Sequence, residues 1–260
     1  MLEAKDLTFS VGSRELVSAV SAVFDPGKLH LIIGPNGAGK STLIKLLARL
    51  IRPKTGVVEY LGIDVSRSND GDLAKIRAVL SQAIEVAFPL TVREIVMMGR
   101  YPHFGGRPRR VDDEIVDEIM EFFEITEFAA RNYQTLSGGE RQRVNFARVL
   151  GQLWRPAKDG DCRFLFLDEP LTFLDIHHQI AFMKKIRDFT KGDNVVTIGV
   201  VHDLNLAARF ADQILLLDQG RIVAKGASED VLTGELIRKV FGVEPIMVPV
   251  ENYGVHLVFD

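Results

Sequence analysis

The chain has 260 residues, 47% hydrophobic and 26% charged, with a formal net charge of −3. That length and apolar content suffice for a large buried core, and the slight acidic balance argues against general nucleic-acid binding. Cys162 is the only cysteine, which excludes an intramolecular disulfide and a cysteine-cluster metal site.

Residues 1–25 alternate apolar and polar around a turn at Val11-Gly12-Ser13-Arg14, the pattern of a β-hairpin or meander. Leu29–Ile33 is a short apolar run, read as a buried strand. Gly34-Pro35-Asn36-Gly37-Ala38-Gly39-Lys40-Ser41-Thr42 follows with the spacing G-x-x-x-x-G-K-[ST]. A phosphate tail needs backbone N–H groups turned inward around it, and Gly37 and Gly39 permit those turns. Lys40 supplies a positive charge for the β- and γ-phosphates, and Ser41 a hydroxyl for Mg²⁺. Lys40 to Leu50 carries Leu43, Leu46, Leu47 and Leu50 at helical spacing. Strand, glycine loop and helix together aim a helix N-terminus at an anion.

Residues 56–62 read as another strand, and Asp72 as the cap of a helix through Leu80. Val92–Met98 and Val111–Glu124 are helix candidates, the latter with Ile115, Ile119, Phe122 and Phe123 on one face and Asp112, Asp113 and Glu114 in its first turn. Arg107, Arg109 and Arg110 before it read as a solvated cluster. Leu136-Ser137-Gly138-Gly139-Glu140-Arg141-Gln142 opens a helical segment through Leu150 and forms a second glycine turn at a helix N-terminus. Phe164-Leu165-Phe166-Leu167 is an apolar strand ending in Asp168-Glu169-Pro170. Its Asp168 can enter a Mg²⁺ shell, and Glu169 can polarise an attacking water as general base. Leu174–Phe189 and Leu204–Ala211 read as helices on either side of a Val195–Val201 strand. The expected class is α/β, a parallel-sheet nucleotide core with a mostly helical insertion. No apolar run approaches the roughly 20 residues that span a bilayer, and Met1–Asp6 lacks signal-peptide character. A cytoplasmic location is therefore expected, with any membrane role through a partner.

The P-loop, the LSGGE string and the Asp168-Glu169 strand end, in this order, resemble the ATP-binding-cassette (ABC) family. The resemblance implies a P-loop NTPase fold with an antiparallel β subdomain and a helical signature-motif subdomain. It implies one ATPase domain over 1–260, with 1–75 and 160–260 as core and about 76–155 as the helical part. It also implies ATP and Mg²⁺ as cofactors. Gln82 stands where the family's Q-loop glutamine contacts Mg²⁺ and the water, Asp175 matches the D-loop aspartate, and His202 matches the switch histidine at the γ-phosphate. It further implies a head-to-tail homodimer sandwiching two ATP, each between one copy's P-loop and the other's Ser137-Gly138-Gly139. Two positions depart from the family. Val11, with Phe9 earlier, stands where an aromatic often stacks on adenine, and bulky Phe173 lies just before Leu174-Asp175.

A single cassette resembles the ATP-binding subunit of a bacterial importer. The resemblance implies that two copies dock on an integral-membrane permease dimer at the cytoplasmic face of the inner membrane, with a periplasmic haem- or siderophore-binding protein engaged indirectly. Nucleic acid is not an expected partner. Gly99-Arg100-Tyr101-Pro102-His103, within a docking segment over Ala83–His103, resembles the haem, iron-siderophore and cobalamin importer group. So do His202–Ala208 and Val240–Val243. Ala147–Trp154 and Leu174–Gln179 look most like haem-importer subunits; ferric siderophore and cobalamin are the alternative cargoes. A non-transport ABC ATPase would carry a long coiled coil or a second cassette. His177 and His178 are expected beside the D-loop rather than on cargo, His103 at a partner interface, and Trp154 in packing.

Overall fold

The computed structural model describes residues 1–81, 88–155, 161–172, 174–192, 194–250 and 254–259. The chain opens with a hairpin, β1 (Leu2–Val11) and β2 (Arg14–Phe24), then β3 (Leu29–Ile33) and α1 (Lys40–Leu47). Next come β4 (Thr55–Tyr60), β5 (Ile63–Asp64), α2 (Asp70–Ile76) and β6 (Arg77–Leu80). Three helices follow: α3 (Val92–Met98), α4 (Arg110–Phe122) and α5 (Gly138–Gly151). The alternating pattern resumes with β7 (Arg163–Leu167), α6 (Ile176–Gly192), β8 (Val195–Val200) and α7 (Leu204–Phe210). The chain then runs through β9 (Gln213–Asp218), β10 (Arg221–Gly226), α8 (Ser228–Val231), α9 (Gly234–Phe241), β11 (Ile246–Val250) and β12 (Gly254–Val258).

Six strands form the central sheet in the order β10-β9-β3-β8-β7-β6, and only the β9–β10 pair is antiparallel. β3, β7 and β8 are buried along their whole length because both faces of the sheet are covered. Side chains alternate between two apolar clusters, as the strand period requires. Leu29, Leu31, Ile33, Leu165 and Leu167 face α3 to α7. Ile32, Phe164, Phe166, Val196, Ile198 and Val200 face α1 and a second, antiparallel sheet, β2-β1-β4-β5. Truncating any one of these, Leu31→Ala for example, is expected to cost about 2–5 kcal/mol.

The α/β class and the antiparallel sheet agree with the sequence reading, but several element bounds do not. The helix expected through Leu80 is Asp70–Ile76, capped by Asn69 rather than Asp72, and Arg77–Leu80 is instead a strand paired with Phe164–Leu167. Ala78 and Leu80 are buried against that neighbour, so tertiary pairing overrides local helical character. α1 stops before Leu50, where Arg49 adopts φ +53° and Leu50 becomes exposed. α6 begins only at Ile176 because the Asp175 carboxylate accepts the His178 N–H at 2.9 Å and caps the first turn. Among the described residues no helix is long and apolar enough to cross a membrane.

Candidate functional site

The glycine loop joins β3 to α1 and is shaped by its surroundings. A Cβ at Gly34 would sit 2.0 Å from the Leu217 carbonyl oxygen, and one at Gly39 would sit 2.2 Å from that of Leu16. Gly39 has φ +97° and forms the N-cap of α1, so neither position admits a side chain. Lys40 is buried, and its Nζ donates to the carbonyls of Gly34 and Pro35, both at 2.9 Å. Burial lowers the Lys40 pKa, against the opposing pull of Glu169 and Asp168. Arg14, Asn36, Gly37, Lys40, Ser41 and Glu169 are among the residues lining a cleft of about 300 Å³.

β7 carries its two carboxylates to the same edge. The Asp168 N–H donates to Leu80 O at 2.9 Å, which fixes the strand end, while Asp168 Oδ1 is buried without a hydrogen-bond partner among the described residues. A buried carboxylate oxygen and the Ser41 hydroxyl are the hard oxygen donors a divalent cation takes, so these residues fit Mg²⁺. Glu169 adopts φ +51°, an uncommon conformation for a side-chain-bearing residue. Two contacts hold that turn: Thr172 Oγ1 donates to Glu169 O at 3.1 Å, and His202 Nε2 lies 3.0 Å from Glu169 Oε1. His202 comes from the turn after β8. The Asp203 carboxylate accepts the N–H groups of Asn205 and Leu206 at 2.8 and 2.9 Å, capping α7 and setting where that turn ends. A second cleft of about 200 Å³ is lined by Glu169, Thr172, Gln179, His202 and Asp203, among others. Glu169 therefore borders both clefts.

Ser137 caps α5 in a reciprocal box with Glu140: Glu140 N–H donates to Ser137 Oγ at 3.3 Å, and Ser137 N–H donates to Glu140 Oε2 at 2.7 Å. A Cβ at Gly138 or Gly139 would meet nothing within 4 Å among the described residues. Neither glycine, nor Ser137, lines either cleft. Gly34 and Gly39 of the first loop are thus demanded by the chain's own backbone, whereas the glycines after Ser137 face open space among the described residues.

The family model for ABC transporters matches residues 17–172. The chain belongs to the ABC transporter family. The hemin import ATP-binding protein HmuV of Agrobacterium fabrum is 42% identical over 243 residues, covering 94% of this chain and 92% of the relative. HmuV of Escherichia coli O157:H7 is 37% identical over 261 residues, with both chains covered in full. An inward-facing metal-chelate type ABC transporter superposes with TM-score 0.83 at 24% identity, over 100% of this chain and 96% of that one. A dimeric bacterial ABC transporter cassette gives TM-score 0.73 at 25% identity, over 88% and 99%.

Within this ABC ATPase, the P-loop, Asp168, Glu169 and His202 meet at the C-terminal ends of β3, β7 and β8. Gln82 and Phe173 lie outside the described residues. Asp175 is exposed, and its carboxylate faces His178 Nδ1 at 2.8 and 2.9 Å; hydrogen bonds from His178 hold its pKa below the usual carboxylate range. Val11 is exposed at the hairpin tip and does not line the phosphate cleft, whereas Arg14 does. Arg14, Thr172 and Gln179 were not read as site residues from the sequence. Only Arg14 had a signal, as the basic residue closing the Gly12 turn.

Proposed function

We propose that this chain is the ATP-hydrolysing subunit of a bacterial haem importer. Two copies would act on an integral-membrane permease dimer, peripheral to the cytoplasmic face of the membrane, with a periplasmic haem-binding protein delivering cargo. One observation carries the reading: 42% identity to a hemin import ATP-binding protein across 94% of this chain. Ferric siderophore and cobalamin are the alternative cargoes. Residues 1–75 and 160–260 would form the nucleotide core of a single domain, and about 76–155 its helical part.

In this reading Lys40 gives up the carbonyls of Gly34 and Pro35 for the β- and γ-phosphates, while the N–H groups from Gly37 to Thr42 cradle them. Ser41, Asp168 and Gln82 would hold Mg²⁺, which would offset charge on the phosphate oxygens. Glu169 takes a proton from the attacking water, and Gln82 orients that water. His202, oriented against Glu169, donates to the γ-phosphate as its charge grows. The open face of Ser137-Gly138-Gly139 supports an approach by the second copy's nucleotide, since a Cβ at either glycine would meet no described residue within 4 Å. Asp175 lies on the exposed turn before α6, where a second copy can reach it. ATP then joins two half-sites, and hydrolysis loosens them.

The test is transport by this subunit reconstituted in proteoliposomes with its partner permease. ATP-dependent uptake of hemin, absent with Lys40→Ala, is the expected result. Uptake of ferric siderophore or cobalamin instead would reassign the cargo, and no ATP-driven uptake of any of the three would reject the transport role.

A further inference from the structure

α5 begins at the Ser137 cap, and two glutamines tie it to the catalytic edge of its own chain. Gln142 Nε2 donates to Pro170 O at 3.0 Å, and Pro170 directly follows Glu169. Beyond the helix's last turn, Gln152 Nε2 donates to Ala74 O at 2.6 Å and Arg77 O at 2.8 Å. Arg77 starts β6, and the end of that strand, Leu80 O, accepts the Asp168 N–H at 2.9 Å. Gln82 lies two residues beyond Leu80.

The helix between these ties is a stiff element. Val144, Phe146, Ala147, Val149 and Leu150 are buried in the core cluster. A Cβ at Gly99 would lie 2.0 Å from Arg148 O, so α3 presses on α5 backbone to backbone. A close-packed helix moves as a body rather than bending between its ends. Displacement of Ser137 therefore reaches the Pro170 turn through Gln142, and the β6 strand through Gln152.

We propose that Gln142 and Gln152 are positioning residues that link the Ser137 turn to the Asp168-Glu169 turn of the same chain. The inference rests on the two-copy ATPase reading above. In that dimer Ser137 and Glu169 of one chain serve different nucleotides, so the two ties make each site sense whether the other is filled. Removing them leaves the P-loop intact and uncouples the sites. The linkage has physical content only if measured coupling follows these two side chains, since proximity alone does not demonstrate it.

The experiment uses the full-length chain with Gln142→Met and Gln152→Met, which keep side-chain volume and remove the donor. Three quantities are measured: thermal melting, nucleotide binding, and ATP turnover against ATP concentration. Melting and nucleotide affinity should stay at the parent values. The maximal rate should fall about tenfold, and the Hill coefficient should drop from about 2 toward 1. If one variant fails to fold, the other decides. If neither folds, Gln142→Glu, isosteric and unable to donate to Pro170 O, takes their place. Parent-like rate and Hill coefficient in folded variants overturn the proposal, as does a parent Hill coefficient of 1. Unimpaired turnover in Lys40→Ala would instead reject the ATPase reading itself, so the two failures are distinguishable.

Discussion

His202 Nε2 stands 3.0 Å from Glu169 Oε1, each presented by a turn at the C-terminal end of neighbouring parallel strands. A parallel pair puts both strand ends on one edge, so this contact follows from topology rather than from nearness in sequence. The imidazole fixes the carboxylate at the mouth of the phosphate cleft. Glu169→Gln is expected to lower kcat by about 10²–10⁴-fold while nucleotide affinity holds. In steady-state assays His202→Ala should lower kcat by about 10²-fold with little change in KM. Normal turnover by Glu169→Gln would remove the general-base assignment.

The two glycine turns should respond differently to one added methyl group. Gly39→Ala places a Cβ 2.2 Å from Leu16 O at φ +97°, so stability should fall by about 2 kcal/mol or more and nucleotide binding should be lost. Gly138→Ala meets nothing within 4 Å among the described residues and sits in a helix, so stability should hold or rise by up to about 1 kcal/mol. Its ATP turnover should nevertheless drop if, as proposed, the second copy's nucleotide approaches that space. Urea unfolding alongside ATPase assays separates the two, and a Gly138→Ala enzyme with full activity would contradict the shared site.

Arg100 and Asp112 form a buried ion pair at 3.2 Å, and Arg100 Nη1 also donates to Gly151 O at 2.7 Å. Asp112 is fully buried, so Asp112→Ala leaves an uncompensated guanidinium and should cost about 3–5 kcal/mol. Arg110→Ala, which removes a solvent-exposed pair with Glu114, should change stability by less than about 1 kcal/mol. Equal effects in chemical denaturation would show that burial is not what sets the value of these pairs.

His30 is fully buried on the interior strand β3 with Phe24 against its ring, and Nε2 donates to Asp25 O at 3.1 Å. Burial pushes its pKa down to about 4, against about 6.5 in the unfolded chain. Between those values the unfolded chain binds more protons than the folded one. Stability is therefore fully present above about pH 6.5, falls as pH drops toward about 4, and loses about 3 kcal/mol over that window. His30→Gln should lack this part of the pH dependence. Parallel stability-versus-pH curves for parent and variant would refute the assignment.

Short-range patterns in the sequence were enough to read the P-loop, the apolar strand ending in Asp168-Glu169, and the cap at Ser137, because each is built by neighbours along the chain. β6 was not legible in that way. Arg77-Ala78-Val79-Leu80 follows a helix without a break residue, and only pairing with Phe164–Leu167 makes it a strand. The β11–β12 hairpin was likewise missed. Asn205 holds it by accepting the Leu257 N–H at 2.8 Å and donating to Leu257 O at 3.0 Å, a pairing no local pattern announces. The residues gathered at the sheet's C-terminal edge, Lys40, Asp168, Glu169 and His202, were legible by type and order, whereas the bonds from Gln142 to Pro170 O and from Gln152 to Arg77 O join a side chain to a distant carbonyl and leave no spacing signal.

A nucleotide shared between two copies should allow crippled copies to complement one another. Lys40→Ala destroys one half of each site and Ser137→Arg the other, so either variant alone should lack ATP turnover. A heterodimer of the two, isolated through different tags, contains one site with both halves intact and should recover roughly half of the parent rate or less. Inactivity of that heterodimer, or full activity of Ser137→Arg by itself, would contradict the account.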